Sequence, residues 1–210
     1  MTPFLRHTGR ACQLMLDDID TDVILPTAAL LLPSPDEMAE HLFAPLRERT
    51  PAQVGLSAVF DATDSRGASF LLVGANFGCG SSREMAVWAL AAYGFRCIVA
   101  PSFNEMFRGN CVRNGLLPVC LDAGLIDNAV SAVARRPHTR FSVDLETQRI
   151  VWTDTGGHPF AISRVERDRL VTGVDEISET LRYRALLEAA DAAHRQAFAW
   201  AYRADHASFP

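Results

Sequence analysis

The sequence predicts an α/β fold with a parallel βαβ core and an added antiparallel hairpin. An apolar run at 69–73, a helical stretch that stops at Gly94 and a second apolar run at 95–100 follow one another. Strand, helix and strand within about 30 residues form a βαβ unit, which implies parallel strands and a right-handed crossover. Farther along, apolar and polar residues alternate at 141–145 and at 149–152, which indicates two antiparallel strands.

The other elements are predicted from local signals. Further strands are expected at 11–16, 116–121 and 160–162. Further helices are expected after Ser34, from Ser102 to Gly115, at 124–136 and at 181–202. The helix after Ser34 has the clearest start, since serine caps a helix well and Pro35 suits its first position. The helical stretch that stops at Gly94 is the central helix of the predicted βαβ unit. The spacing of Ala86 with Leu90 and of Trp88 with Ala92 predicts that this helix is largely buried.

The chain is long enough for one domain of ordinary size. It has 210 residues, of which 49% are hydrophobic and 21% are charged, so we expect a globular domain over 1–210 with a helical extension at about 181–210. No apolar run approaches the roughly 18 residues that cross a bilayer. The first residues lack the apolar core of a signal peptide, so we expect a cytoplasmic protein without a membrane contact.

Charge and composition exclude several function classes. The formal net charge is −5 and no basic stripe with interleaved aromatic residues occurs, which argues against a nucleic-acid partner. All 20 basic residues are arginine. Without lysine the chain cannot carry a Walker-type phosphate loop or form a Schiff base through a lysine amine.

The five cysteines do not form a metal-binding pattern. No C-x-x-C pair is present among Cys12, Cys79, Cys97, Cys111 and Cys120. The sequence therefore predicts no zinc site and no iron–sulfur cluster held by this chain alone. We interpret these residues as buried, reduced thiols, except for Cys79, which lies in a glycine-rich loop and can contact a site through its backbone.

That glycine-rich loop is the strongest candidate for a functional site. It begins after the strand at 69–73, contains Gly78 and Gly80, and continues through Ser81, Ser82 and Arg83 into the central helix. A strand, a glycine-rich turn and a helix N-terminus in this order can bind an anion through backbone N–H groups. Either serine can cap the helix, and Arg83 would then face the open end of the loop.

A second candidate is an acidic cluster between the first strand and a proline. Four carboxylates occur within six residues, at Asp17, Asp18, Asp20 and Asp22. They repel one another unless they bind backbone N–H groups, arginines or a metal. Two interpretations stay open: a solvated turn with aspartate–backbone hydrogen bonds, or a loop that directs one carboxylate into a site.

Four stretches carry a resemblance to a known family. They occur in order at 18–26 (DIDTDVILP), 76–84 (NFGCGSSRE), 100–119 and 173–181. With them the chain resembles, over nearly its whole length, the small subunits of 3-isopropylmalate dehydratase (isopropylmalate isomerase), which belong to the aconitase superfamily. The resemblance implies a β/β/α swivelling domain that corresponds to the mobile fourth domain of aconitase.

The resemblance also implies a reaction and a partner. Such a subunit works in leucine biosynthesis as a hydro-lyase that is active only with a large subunit, in a heterodimer or heterotetramer. The large subunit is expected to hold a [4Fe–4S] cluster, while this chain holds no cofactor. A 2-hydroxy diacid is dehydrated to an alkene and rehydrated with its hydroxyl on the neighbouring carbon, which isomerises 2-isopropylmalate and 3-isopropylmalate.

Residue roles follow from the same resemblance. Ser81 is implied to be the general base, and Asp22 is implied to support the acid and base groups. Ser82 and Arg83 are implied to bind a substrate carboxylate, together with the loop at Cys79 and Gly80. A guanidinium suits a carboxylate because it donates two parallel hydrogen bonds.

The segment after Pro26 controls substrate choice in this superfamily. Here it is apolar and has no lysine or arginine, so a substituent such as isopropyl fits it better than a third carboxylate. We place substrate specificity at Leu30, Leu31, Leu32 and Ser34. Two alternatives stay open: the same chemistry on methylmalate, dimethylmalate or citramalate, or an anion-binding module without catalysis.

Two residues depart from the family pattern. Met85 stands where histidine is common, which indicates either a packing change or a change in chemistry. Arg108 stands where an aromatic residue is frequent, and it is expected either to reach the site or to face solvent.

Overall fold

The described residues form a seven-stranded mixed sheet. The computed structural model describes residues 1–49, 67–152, 156–174 and 176–202. The strands are β1 (Arg6–Leu14), β2 (Ala68–Val73), β3 (Cys97–Ala100), β4 (Leu117–Cys120), β5 (Arg140–Asp144), β6 (Arg149–Val151) and β7 (His158–Pro159). Their order in the sheet is β4-β3-β2-β1-β5-β6-β7. The first four pair in parallel and β5 to β7 pair antiparallel, which confirms the predicted α/β class, its βαβ core and its hairpin.

Helices lie before, between and after the strands along the described parts of the chain. Their bounds are α1 Thr21–Ile24, α2 Pro35–Glu40, α3 Ala44–Arg49, α4 Glu84–Tyr93, α5 Glu105–Arg113, α6 Ala123–Arg135, α7 Arg164–Thr172, α8 Glu176–Leu181 and α9 Arg184–Ala197. Two 3₁₀ helices lie at Thr27–Leu31 and Ala199–Tyr202. The predicted start of α2 is confirmed, because Ser34 Oγ accepts a hydrogen bond from the Glu37 N–H at 3.3 Å.

Two hydrophobic cores form because successive residues of a strand point to opposite faces. Leu71 and Val73 of β2 pack in the core that contains α4. Phe70 and Leu72 pack in the other core, which contains α6 and the hairpin. The sheet is thus buried on both sides along β2 and β3, as parallel strands require, and the loop after β2 is held on a rigid base.

One predicted strand was wrong, and the predicted burial of α4 holds with one exception. The last strand is His158–Pro159 rather than 160–162. The Phe160 N–H extends its pairing with β6 by one bond, since it donates to the Gln148 carbonyl at 3.0 Å, and the chain then leaves the sheet. In α4 the predicted burial holds for Ala86 and Leu90, but Trp88 is exposed. Its indole Nε1 donates to Asn114 Oδ1 at 3.0 Å, so this face of α4 meets the end of α5.

The chain divides into two compact units, Met1–Gly173 and Val174–Pro210. The second unit contains α8, α9 and the last 3₁₀ helix, and residues 203–210 of the predicted extension lie outside the described part. Pairs of opposite charge four residues apart, Arg184 with Glu188 and Arg195 with Asp191, support α9. Among the described residues, no helix combines the length and the hydrophobicity that a bilayer crossing needs.

Candidate active site

The acidic segment and the glycine-rich loop form one structure at the carboxyl end of β2. The Gly78 N–H donates to the Ile19 carbonyl at 2.8 Å, and the Thr21 N–H donates to the Cys79 carbonyl at 3.0 Å. Gly78 has a φ of +77°, and a Cβ on it would lie 2.1 Å from Cγ of Phe107. A larger residue is excluded here by both the backbone conformation and the space, so the loop can lie directly on α5.

Three of the four clustered carboxylates hold this structure together. Asp17 Oδ1 accepts from the Ala75 N–H at 2.6 Å, and Asp18 Oδ1 accepts from Asn76 Nδ2 at 2.8 Å. Asp20 Oδ1 accepts from the Val23 N–H at 2.7 Å and caps α1. These hydrogen bonds compensate the repulsion among the carboxylates. The interpretation as a turn with aspartate–backbone hydrogen bonds describes Asp17 and Asp20, while Asp18 binds a side-chain amide.

The fourth carboxylate, Asp22, points across to the glycine-rich loop. This agrees with the other interpretation, in which the acidic segment directs one carboxylate into a site. Asp22 forms an ion pair with Arg83. Thr27 bridges the two, since its Oγ1 donates to Asp22 Oδ1 at 3.2 Å and accepts from Arg83 Nη1 at 3.3 Å. Arg83 is 22% exposed and Asp22 is 52% exposed, so a ligand can still approach the pair.

Sequence reasoning missed Thr27. Nothing in its local sequence distinguishes it except that it is the first hydroxyl after Pro26, at the start of the 3₁₀ helix. Its contact with Arg83 joins residues 56 positions apart, and a pairing at that separation leaves no periodic signal in a sequence. The hydroxyl thus connects the predicted specificity segment to the predicted carboxylate-binding arginine.

The serines lie exposed in a tight turn before α4. The Ser81 carbonyl accepts from Thr21 Oγ1 at 2.9 Å and from the Arg83 N–H at 2.8 Å. The prediction that Ser81 or Ser82 caps the helix was wrong: α4 begins at Glu84, and Arg83 occupies the cap position without a side-chain capping bond. The turn places both serines ahead of the cap, and neither hydroxyl makes a hydrogen bond within the described part of the chain.

Cys79 and Gly80 shape the loop through their backbones. The Cys79 thiol donates to the Asp18 carbonyl at 3.4 Å. Burial raises the pKa of this thiol, and the carboxylates of Asp20 and Asp18 raise it further. The thiol therefore stays protonated at neutral pH, while Gly80, at a φ of +83°, carries the chain on into the serine turn.

The four residues assigned to substrate specificity lie in different surroundings. Leu31 is 91% exposed, at the end of the 3₁₀ helix that begins at Thr27. Leu30 and Leu32 are partly buried and pack against the core. The Ser34 hydroxyl already binds Glu37: it accepts a hydrogen bond from the Glu37 N–H and donates one to the Glu37 carboxylate at 3.0 Å. Leu31 is thus the member of this set that is free to contact a ligand.

Met85 and Arg108, the two residues that depart from the family pattern, both contact other parts of the fold. Met85 is partly buried against the core, which supports the packing interpretation. Both expectations for Arg108 were wrong: it forms a two-point ion pair with Glu166, with Nε–Oε1 at 2.8 Å and Nη2–Oε2 at 3.3 Å. Its Nη1 also donates to Cys120 Sγ. Arg108 therefore ties α5 to α7 instead of reaching the serine turn or solvent.

Three of the remaining thiols lie in the hydrophobic cores. Cys12, Cys97 and Cys111 are buried. Desolvation raises the pKa of Cys12 to about 12 and also raises the pKa values of Cys97 and Cys111 well above their ordinary range. An iron–sulfur cluster needs several thiolates close together, whereas Cys12 and Cys111 belong to one core and Cys97 to the other, so these residues do not fit that donor set.

Comparisons with known proteins agree on one family. Residues 1–124 match the model of the aconitase C-terminal domain. A 3-isopropylmalate dehydratase small subunit from Rhodospirillum centenum is 37% identical over 201 residues, which cover 96% of this chain and 99% of that protein. One from Cupriavidus necator is 40% identical over 206 residues, covering 95% and 98%.

A solved structure extends the likeness from sequence to fold. The crystal structure of 3-isopropylmalate dehydratase from Methanocaldococcus jannaschii superposes on this chain with a TM-score of 0.64 and 28% sequence identity. The match covers 89% of this chain and 99% of that one. The fold of this chain is therefore similar to that of a protein with that name.

Proposed function

This chain belongs to the family of 3-isopropylmalate dehydratase small subunits, built on the aconitase C-terminal domain, and we propose that it supplies one half of an active site. It is a hydro-lyase subunit that isomerises 2-isopropylmalate and 3-isopropylmalate in leucine biosynthesis, together with a large subunit. The observation that carries the proposal is the exposed turn of Ser81, Ser82 and Arg83, whose arginine is fixed by Asp22 and Thr27.

Arg83 is the proposed clamp for a substrate carboxylate. A guanidinium has five N–H donors, so its contacts with Asp22 and Thr27 leave other donors for a ligand. The pair is fixed in advance, and a fixed guanidinium loses less conformational freedom when it binds a carboxylate. The exposed Ser82 hydroxyl lies next to Arg83 in the chain and can add a further hydrogen bond.

Ser81 is the proposed general base. Its peptide group is anchored by Thr21 and Arg83, while its hydroxyl is left for the substrate. A serine is a weak base in water, and its alkoxide gains stability from the nearby guanidinium once solvent is excluded. Ser81 is exposed in this chain, so the exclusion of solvent has to come from closure of the partner over the turn.

We place the [4Fe–4S] cluster on the large subunit, because the buried thiols of this chain are divided between two cores and do not fit its donor set. Such a cluster supplies a Lewis acid for the substrate hydroxyl. The part of this chain is to bind the carboxylate through Arg83 and to move the proton at Ser81 Oγ, while closure of the partner excludes water. A heterodimer or heterotetramer and a location in the cytoplasm remain predictions.

Leu31 supports an apolar substituent on the substrate. It is the exposed member of the specificity segment, and the described residues from 11 to 46 contain no lysine or arginine. An isopropyl group can pack against such a side chain, whereas a further carboxylate would lose its hydration without gaining a cationic partner.

The test is reconstitution with a cluster-bearing large subunit. We expect no turnover from this chain alone, turnover from the pair, and a higher kcat/KM for 2-isopropylmalate than for citramalate or dimethylmalate. Leu31→Arg should lower kcat/KM for 2-isopropylmalate more than for citramalate, while Leu5→Arg, an exposed leucine at the start of the chain, should change neither. A pair that turns over none of these acids would contradict the proposal.

A further inference from the structure

A basic groove lies away from the serine turn. Its volume is about 950 Å³, which is within the size range of small-molecule sites. It is formed by the end of α6, by the turn that leads into β5, and by residues of β1, β5 and β6. It shares no lining residue with the proposed active site.

The sheet register places the groove at the opposite end of β1 from the acidic loop. Thr8 lines the groove, and the register pairs Arg10 with Ala68 and Leu14 with Val73. Thr8 therefore precedes the level at which β2 begins, whereas the serine turn follows the end of β2. Six residues of strand separate Thr8 from Leu14, which corresponds to roughly 20 Å.

The groove is positively charged in a chain that is negative overall. Arg135, Arg136, His138 and Arg140 line it, and no aspartate or glutamate is among its described lining residues. None of the three guanidinium groups has an ion-pair partner within the described part of the chain. Such a concentration of unpaired cations in a concave surface attracts anions.

The polar groups around these cations are arranged to donate hydrogen bonds. The Thr139 hydroxyl donates to the carbonyls of Ala132 and Arg136, which compensates the carbonyl oxygens at the end of α6 that would repel an anion. The Thr8 hydroxyl donates to Ser142 Oγ at 2.9 Å. The Ser142 O–H is then left to donate to a ligand.

The groove also has an apolar floor. Ala132, Val151 and Trp152 line it, and Trp152 is almost completely buried, with its Nε1 donating to Asn128 Oδ1 at 3.0 Å. Val151 is the partly exposed member of this floor. An inorganic ion would leave it in contact with water, whereas an organic group attached to the anion would cover it. The floor therefore favours a ligand that has an apolar part.

We propose that this groove binds a small organic phosphate. Three guanidinium groups and a hydroxyl donor match the charge and the several acceptor oxygens of a phosphate, and the floor takes the group that carries it. The proposal does not depend on the dehydratase function, since it uses none of the residues of the serine turn.

The test titrates the full chain with phenyl phosphate and with inorganic phosphate and follows the three tryptophan indole N–H signals by NMR. We expect saturable shifts of the Trp152 signal, with a dissociation constant of about 1 mM or below for phenyl phosphate and weaker binding of inorganic phosphate. Trp88 and Trp200 lie elsewhere in the chain, and their unchanged signals would show that the effect is local.

Substitution of the arginines separates a site from general charge attraction. The double variant Arg136→Gln with Arg140→Gln should weaken phenyl phosphate binding about tenfold or more, while Arg182→Gln with Arg184→Gln, exposed arginines outside the groove, should not. Both variants are at exposed positions, and the Trp88 and Trp200 signals check that they fold. A lack of saturable Trp152 shifts, equal binding of the two phosphates, or equal losses in both double variants would overturn the proposal.

Discussion

At the scale of single residues, the arrangement of Asp22, Thr27 and Arg83 decides what the site can do. An arginine on a surface loop has many rotamers, and fixing it costs conformational entropy when a ligand binds. Here Asp22 neutralises Arg83 in part and Thr27 contacts both side chains. The arginine is therefore oriented before a substrate arrives, and the hydroxyl of Thr27 is a positioning group for it.

The role of Thr27 can be measured with Thr27→Val, which keeps the shape and removes the hydroxyl. Loss of one hydrogen bond of about 1 kcal/mol predicts a decrease of roughly fivefold in kcat/KM, seen mainly as a higher KM because Arg83 is less well placed. Thr172→Val removes a hydroxyl that donates to carbonyls of α7 and serves as the control. Equal effects of the two substitutions would show that Thr27 has only a structural role.

At the scale of elements, the glycine-rich loop depends on its contact with α5. Gly78→Ala should lower the free energy of unfolding by about 2 kcal/mol or more, since it combines a positive φ with a collision against Phe107. Gly124→Ala is the matched control: this exposed residue in α6 has no atom near the position of a Cβ. Gly124→Ala should raise the free energy of unfolding by about 0.5 kcal/mol. Urea denaturation measures the free energy of unfolding of both variants. Equal changes in Gly78→Ala and Gly124→Ala would contradict the prediction.

The ion pair between Arg108 and Glu166 joins α5 to α7. Burial opposes the ionisation of Glu166, but hydrogen bonds from Arg108 and Ser163 outweigh it, so the pKa is lowered from its ordinary 4.5. Both side chains are less than one quarter exposed. A double-mutant cycle with Arg108→Met and Glu166→Gln should give a coupling free energy of about 1–3 kcal/mol, against about 0.5 kcal/mol or less for the exposed pair Arg164 and Asp168.

The pH dependence of that coupling follows from the direction of the shift. A carboxyl with a lowered pKa in the folded state contributes stability above its unfolded value, and this contribution is lost as the pH falls through the folded pKa. The coupling free energy should therefore be constant at neutral pH and decrease below pH 4.5. A coupling that stays constant to pH 3 (about 1.5 units below the ordinary value) would show that the carboxylate charge is unimportant.

At the scale of the whole molecule, local patterns in the sequence predicted most of the fold. The parallel core at 69–100, the hairpin and the capped helix after Ser34 all depend on signals within a few residues. The wrong predictions have long-range causes. Trp88 donates to Asn114, 26 residues away, and Arg108 pairs with Glu166, 58 residues away, which no local periodicity reveals.

For the candidate site, the sequence supplied the residue types and the structure supplied their relations. The motifs at 18–26 and 76–84 predicted which side chains matter, and the hydrogen bonds between Ile19 and Gly78 and between Thr21 and Cys79 show how two distant motifs form one site. The position of the serine turn ahead of α4 and the bridge through Thr27 depend on tertiary contacts. They could not be deduced from spacing.

The central claim is that this chain provides the base of a shared active site at Ser81. The most direct test is steady-state turnover of 2-isopropylmalate by the reconstituted pair with Ser81→Ala, compared with Ser131→Ala, an exposed serine on α6. Loss of a general base predicts a decrease in kcat of about 10²–10⁴-fold with substrate binding retained, and no change for Ser131→Ala. Turnover by Ser81→Ala within about twofold of the unmodified pair would contradict the claim.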